Sequence, residues 1–150
     1  MENFKQYEVP VRIDGGREAE VYRISDKHVA KVPLDHRFSP DKDLTHELGI
    51  AEELFKNKIS VPKPEGIFPI NLMNNVRNGF IMEFIDGKLG SKLTEINEIQ
   101  HVKSLLYREI GKVRDLGFNP KDYSHSKNYI WKPQENKIYL IDFTGWKKNE

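Results

Sequence analysis

Apolar residues in the first part of the chain fall in short alternating runs broken by turn-forming clusters. Residues 9–13, 20–24 and 29–32 predict short strands; Asp14-Gly15-Gly16-Arg17 separates the first two, and Ser25-Asp26-Lys27 leads into the third. From Pro40 to Lys58 the period becomes helical. Leu44, Leu48, Ala51 and Phe55 recur at i, i+4, i+7 and i+11, a spacing that puts them on one stripe. Val61-Pro62-Lys63-Pro64 cannot extend that helix, because proline lacks an amide donor and disfavours helix in the residue before it. Residues 65–72 and 78–85 predict two further strands, with Asn74-Asn75 near the turn between them.

Asp86-Gly87-Lys88-Leu89-Gly90 is short, glycine-punctuated and flanked by apolar segments, and so predicts a hinge. Ile99, Val102, Leu105, Leu106, Ile110 and Val113 fit a 3.6-residue period over 94–116, with Gly117 as the C-terminal stop. After a polar loop from Asn119 to Lys127, two β-rich runs flank Pro133-Gln134-Glu135-Asn136-Lys137 and predict an antiparallel hairpin over 128–142. Folding about Glu135 sets Asn128 beside Asp142 at its open end. An amide and a carboxylate placed together suit Mg²⁺, which takes one or two carboxylates plus phosphate oxygens. The pattern predicts an α+β protein of two lobes: 1–85 holds a mainly antiparallel sheet and helix 40–58, and 86–150 holds the hinge, helix 94–116, a loop and the hairpin. Internal repeats and low-complexity tracts are absent.

Charge adds mainly exclusions. Twenty-four Lys and Arg against 23 Asp and Glu leave a formal net charge of +1, so no global field favours nucleic acid or an anionic membrane. The lack of Cys rules out disulfides and Cys-based zinc sites. Met1 leads into Glu2-Asn3-Phe4-Lys5-Gln6, without a signal-peptide core, and no apolar run has membrane-spanning length. The expectation is a soluble, cytoplasmic protein.

Taken in order, the segments resemble the protein-kinase-like fold, and in particular its small atypical RIO and Bud32-type members. Gly16-Arg17-Glu18-Ala19-Glu20-Val21-Tyr22 is similar to the RIO form of the nucleotide-covering loop, and Val29-Ala30-Lys31-Val32 to V-A-I-K. Glu47 falls on the next helix, Phe84-Ile85-Asp86-Gly87 at the hinge, and Ile141-Asp142-Phe143-Thr144 resembles D-F-G. The resemblance implies ATP and Mg²⁺ as cofactors. Gly15, Gly16 and Val21 would cover the nucleotide, Lys31 would hold its phosphates, and Phe84 and Ile85 would offer backbone groups to adenine. Glu47 would orient Lys31, Asn128 and Asp142 would bind the metal, and Asp122 would accept the hydroxyl proton.

Residue chemistry fits those roles. A strand lysine between Ala30 and Val32 needs an anion if its ammonium is buried, although lysines also snorkel to water. At 100° per residue Glu47 lies about 60° from the apolar stripe; Glu52, on its other side, is the fallback partner. Gly15-Gly16 permits close backbone approach to a ligand, or simply a hairpin turn.

Two departures stand out. Five residues before Asn128, where typical kinases place the catalytic Asp, stands Tyr123; Asp122 is one further upstream, and His125 is a competing base or phosphate contact in the same loop. Thr144 replaces the D-F-G glycine and Gly145 follows; with Trp146-Lys147-Lys148-Asn149-Glu150 after it, the expectation is a kinase-like chain without an activation segment. Lys147 and Lys148 are expected in a solvated tail. The reading is a minimal kinase transferring the γ-phosphoryl group of ATP to a protein Ser or Thr hydroxyl. The alternative is a pseudokinase or nucleotide-binding interaction module, and third a small-molecule phosphotransferase.

Overall fold

The structure is a computed structural model that describes Gln6 and residues 10–15, 19–34, 40–73 and 75–149, apart from the side chains of 14, 15 and 40–42. Gly16, Arg17, Glu18 and Asn74 lie outside the described residues. The chain divides into two compact units: Met1–Gly49 with Lys63–Phe84, and Ile50–Pro62 with Ile85–Glu150.

The first unit holds β1 (Val11–Gly15), β2 (Ala19–Arg23), β3 (His28–Pro33), β4 (Pro64–Leu72), β5 (Asn75–Glu83) and the start of α1 (Pro40–Lys56). The strands form one antiparallel sheet in the order β1-β2-β3-β5-β4. Ile24, Ala30, Val32, Ile70 and Ile81 form its core, with Tyr22, Phe68 and Leu72 packed against them. The α+β class and the antiparallel sheet with one helix agree with the sequence reading.

The buried face of α1 is not the stripe the sequence suggests. Leu44, Glu47, Ile50, Ala51 and Leu54 are buried, Leu48 is half-buried and Phe55 is 43% exposed. A 100° step aligns 44, 47, 51 and 54. Counting only apolar residues passes over Glu47 and rotates the stripe toward Phe55. The helix stops at Lys56, and Lys58 takes a left-handed φ of 62° while its N–H returns to the Phe55 carbonyl at 3.0 Å.

The second unit contains β6 (Lys88–Leu89), α2 (Ile96–Asp115), β7 (Phe118–Asn119), β8 (Tyr129–Lys132), β9 (Lys137–Leu140) and β10 (Lys147–Lys148). Its sheets run β6-β8-β9 and β10-β7. Helix α2 starts where the Glu95 carboxylate caps the amides of Asn97 and Glu98, and the chain leaves it through Gly117 at φ 91°. Val102, Leu106, Glu109, Ile110 and Val113 are its buried residues. No helix among the described residues is long and apolar enough to cross a membrane.

Two expectations change. The hairpin turns through Pro133–Glu135 and a left-handed Asn136, with Lys132 opposite Lys137 and Tyr129 opposite Leu140. Its centre therefore lies between Gln134 and Glu135, and the partner of Asn128 is Ile141, whose N–H reaches the Asn128 carbonyl at 3.1 Å. Asp142 is one residue beyond. The Tyr139 hydroxyl donates to Glu135 at 2.7 Å across this turn and holds that carboxyl below its usual range.

Gly87 and Gly90, in the segment expected as a hinge, pack closely against their surroundings. A Cβ on Gly87 would stand 2.5 Å from the Trp131 carbonyl oxygen, and one on Gly90 would stand 2.4 Å from the Tyr129 ring. Both flank β6, which pairs with β8. Lys147 and Lys148 are exposed, as expected, but their backbone forms β10 and is not a free tail. Trp146 is 1% exposed, its indole N–H donates to the Lys121 carbonyl at 2.9 Å, and its ring meets Phe143 edge-on at 5.1 Å. That anchor lets β10 pair with β7, where Lys148 bonds Glu53 and lies over the Phe118 ring.

Candidate functional site

In the first unit, β3 carries Lys31 between two neighbours in register, Val21 on β2 and Phe80 on β5. Helix α1 supplies Glu47. The Lys31 ammonium donates to Oε1 at 2.8 Å and to Oε2 at 3.1 Å of that carboxylate. The side chains are 14% and 7% exposed, so the lysine does not snorkel and each charge depends on its partnership. Glu52, the fallback, is exposed on the same helix. Gly15 pairs with Glu20 at the end of the β1–β2 ladder, and Gly16 lies outside the described residues.

Phe84 and Ile85 occupy the junction in sequence between the units. The Phe84 N–H donates to the Lys27 carbonyl at 2.8 Å, and the Arg23 guanidinium sits 4.0 Å from the centre of the Phe84 ring. The Ile85 carbonyl accepts from the Gly87 N–H at 3.1 Å. Of the backbone groups expected to meet adenine, one donor and one acceptor are therefore engaged within the protein.

In the second unit, residues 122–128 close on themselves. Asp122 has a left-handed φ of 54°, a conformation that Asp tolerates better than most side chains. Its carbonyl accepts the His125 N–H at 3.1 Å and the Asn128 side-chain Nδ2–H at 2.8 Å. The His125 carbonyl accepts the Asn128 N–H at 2.8 Å, and His125 Nδ1 accepts the Lys127 N–H at 3.4 Å. Tyr123 turns away from this loop, its hydroxyl accepting from Arg114 at 3.2 Å.

The loop thus brings Asp122, His125 and Asn128 together through backbone and amide bonds. An amide has one donor end and one acceptor end; with Nδ2 committed to Asp122, Oδ1 is the oxygen that Asn128 offers elsewhere. Asp142 is half-buried and its Oδ1 accepts the Thr144 N–H at 2.9 Å, which fixes the carboxylate against the turn that follows. That turn is closed by Trp146 N–H to the Phe143 carbonyl at 3.1 Å, with Gly145 at a φ of 77°. Among the described residues, no group of three or more His, Cys, Asp or Glu gathers as a metal site. An amide oxygen, one carboxylate and phosphate oxygens from a ligand make a hard-oxygen donor set of the kind Mg²⁺ uses, so the residues present fit that ion.

Two buried polar residues escaped the sequence reading. Glu109 and Ser60 are 8% and 5% exposed, and the Ser60 N–H donates to Glu109 Oε1 at 2.7 Å. The signal was available, since position 109 is three residues after Leu106 and seven after Val102, on the buried stripe of α2.

No protein-family model matches the sequence, and no curated protein matches it. Solved structures do. Rio2 kinase from Chaetomium thermophilum, in an ADP/Mg²⁺-phosphoaspartate complex, superposes with a TM-score of 0.62 at 14% identity, covering 95% of this chain and 49% of that one. Two structures of WbdD, a bifunctional kinase-methyltransferase, give TM-scores of 0.60 and 0.58 at 17% identity, covering 98% and 89% of this chain. The chain spans about half the length of the Rio2 structure and about a third of the WbdD structures. The fold is kinase-like.

Proposed function

We propose that the protein is a minimal ATP- and Mg²⁺-dependent phosphotransferase of the RIO or Bud32 kind, acting on a protein Ser or Thr hydroxyl. The observation that carries this reading is the shielded Lys31–Glu47 pair at the strand-and-helix position expected for it on a kinase-like fold. Lys31 binds the α- and β-phosphates, and Glu47 holds its ammonium in place. Val21, the cross-strand neighbour of Lys31, covers the nucleotide together with the Gly15-Gly16 segment. The Phe84 carbonyl and Ile85 amide serve adenine, since the other two groups are engaged.

Asn128 Oδ1 and the Asp142 carboxylate hold Mg²⁺, which neutralises phosphate charge when bound. In the transfer step the acceptor oxygen bonds to the γ-phosphorus as the bond from phosphorus to the bridging oxygen breaks, and ADP leaves. The hydroxyl proton passes to the Asp122 carboxylate, with His125 as the competing acceptor. The Rio2 kinase was captured with ADP and Mg²⁺, which agrees with this choice of cofactors.

A second reading is a nucleotide-binding module without transfer. The one-residue displacement of Asp122 and its exposed, left-handed position favour it. Incubation with labelled ATP, Mg²⁺ and protein acceptors separates the two. Incorporation that disappears in Asp122→Asn and Asp142→Ala supports the kinase. ATP binding without incorporation, unchanged by Asp122→Asn, supports the module.

A further inference from the structure

We infer that Glu109, acting through Ser60, is a positioning residue for the Asp142 carboxylate. The inference deepens the proposed function and rests on Asp142 as a metal ligand. Ser60 commits three polar groups within the second unit. Its N–H donates to Glu109 Oε1 at 2.7 Å, its hydroxyl donates to the Ile138 carbonyl, and its carbonyl accepts the Leu140 N–H at 2.9 Å. Ile138 and Leu140 are alternate residues of β9, and both backbone groups point away from β8. One serine therefore satisfies the outer edge of that strand where an additional strand would otherwise lie.

Asp142 follows two residues after Leu140. Beyond it, Phe143 is 2% exposed and locked against Trp146, so the short segment carrying the carboxylate is fixed at both ends. The upstream end is held along one edge by β8, through the Ile141 N–H to the Asn128 carbonyl at 3.1 Å, and along the other by Ser60. Flanking residues Ile59 and Val61 bury their side chains but give Ser60 no polar partner of their own. Glu109 does, from the rigid body of α2, and Lys112 holds its second oxygen at 3.3 Å. A buried carboxylate costs desolvation and accepts a stronger hydrogen bond than a neutral group would. Here the Ser60 N–H and the Lys112 ammonium offset that cost. Partners hydrogen-bonded directly to a metal ligand are worth about 10–100-fold in metal affinity, and Glu109, acting through Ser60 and the β9 backbone, is expected at the lower end of that range.

The test compares wild type, Glu109→Ala, Glu109→Gln and Ser60→Ala by two readouts. Amide hydrogen exchange over 138–144, without nucleotide, reads the mechanical link. Mg²⁺ titrations of ATP-dependent thermal stabilisation read its consequence. Glu109→Ala is expected to speed exchange in 138–144 and to raise the half-saturating Mg²⁺ concentration about tenfold. Glu109→Gln, which keeps an acceptor oxygen, is expected to restore both. If Glu109→Ala does not fold, Ser60→Ala, which loses only the hydroxyl bond to Ile138, is expected to move both readouts in the same direction. Unchanged exchange, or faster exchange with unaltered Mg²⁺ dependence, overturns the inference. Failure of wild type to show any Mg²⁺-dependent stabilisation overturns the proposed function instead, and the exchange arm still decides whether Glu109 orders the segment.

Discussion

Lys31 and Glu47, 16 residues apart in sequence, meet through two hydrogen bonds from one ammonium to both oxygens of one carboxylate. Neither side chain is exposed enough for water to replace the other, at 14% and 7%. Removing one partner of a buried ion pair costs about 3–5 kcal/mol, whereas replacing both with apolar residues of similar size is often neutral. Glu47→Ala is therefore expected to lower unfolding stability by about that amount. Lys31→Met with Glu47→Leu is expected to recover most of it while abolishing ATP binding. Urea unfolding and calorimetric ATP titration of wild type and the two variants check both statements. Full ATP affinity in the double variant contradicts the phosphate role of Lys31.

One substitution separates the proposed metal role of Asn128 from its hold on the Asp122 carbonyl. Asn128→Asp keeps an oxygen for a cation but loses the Nδ2–H that holds the Asp122 carbonyl. On the proposed function the expected result is retained Mg²⁺-dependent nucleotide binding with phosphoryl transfer reduced at least about 10-fold, since phosphoryl transfer rests on positioning. Asn128→Ala is expected to lose both. Faster amide exchange over residues 122–128 in both variants is the structural check.

Four glycines divide into two classes. Gly49 and Gly111 lie inside α1 and α2 with no atom within 4 Å of an added Cβ. Gly49→Ala and Gly111→Ala should each stabilise the protein by up to about 1 kcal/mol through helix propensity. Gly87 and Gly90 lie against the backbone of Trp131 and the ring of Tyr129. Alanine at either should destabilise by about 1–3 kcal/mol, as overpacking does. Thermal melts of the four single variants test the ranking.

The elements easiest to read were those whose apolar residues alone set the period. The strands around Val29–Val32 and Phe80–Met82, the helix ending before Gly117 and the hairpin around Asn136 all have side chains that report their environment directly. Readings failed where a polar residue lay on a buried face. Glu47 shifted the apparent stripe of α1, and Glu109 and Ser60 went unseen, because burial of a charge or hydroxyl depends on a partner distant in sequence. The hairpin register slipped by one because left-handed Asn136 closes a four-residue turn, a choice that composition leaves open. Gly87 and Gly90 carry the same sequence signal for flexibility as for close approach, and only the position of β8 distinguishes them. Asp142 as a candidate was legible from its place at the end of a strand, but its bond to the Thr144 amide was not.

On the proposed function ATP binds together with Mg²⁺, and Asp142 holds the metal. Isothermal titration of ATP into wild type and into Asp142→Ala, each with Mg²⁺ and with chelator, tests it most directly. The account predicts ATP binding in wild type that weakens sharply when Mg²⁺ is removed, and weak binding in Asp142→Ala that is indifferent to the metal. Equal ATP affinity in all four titrations, or no binding in any of them, would contradict it.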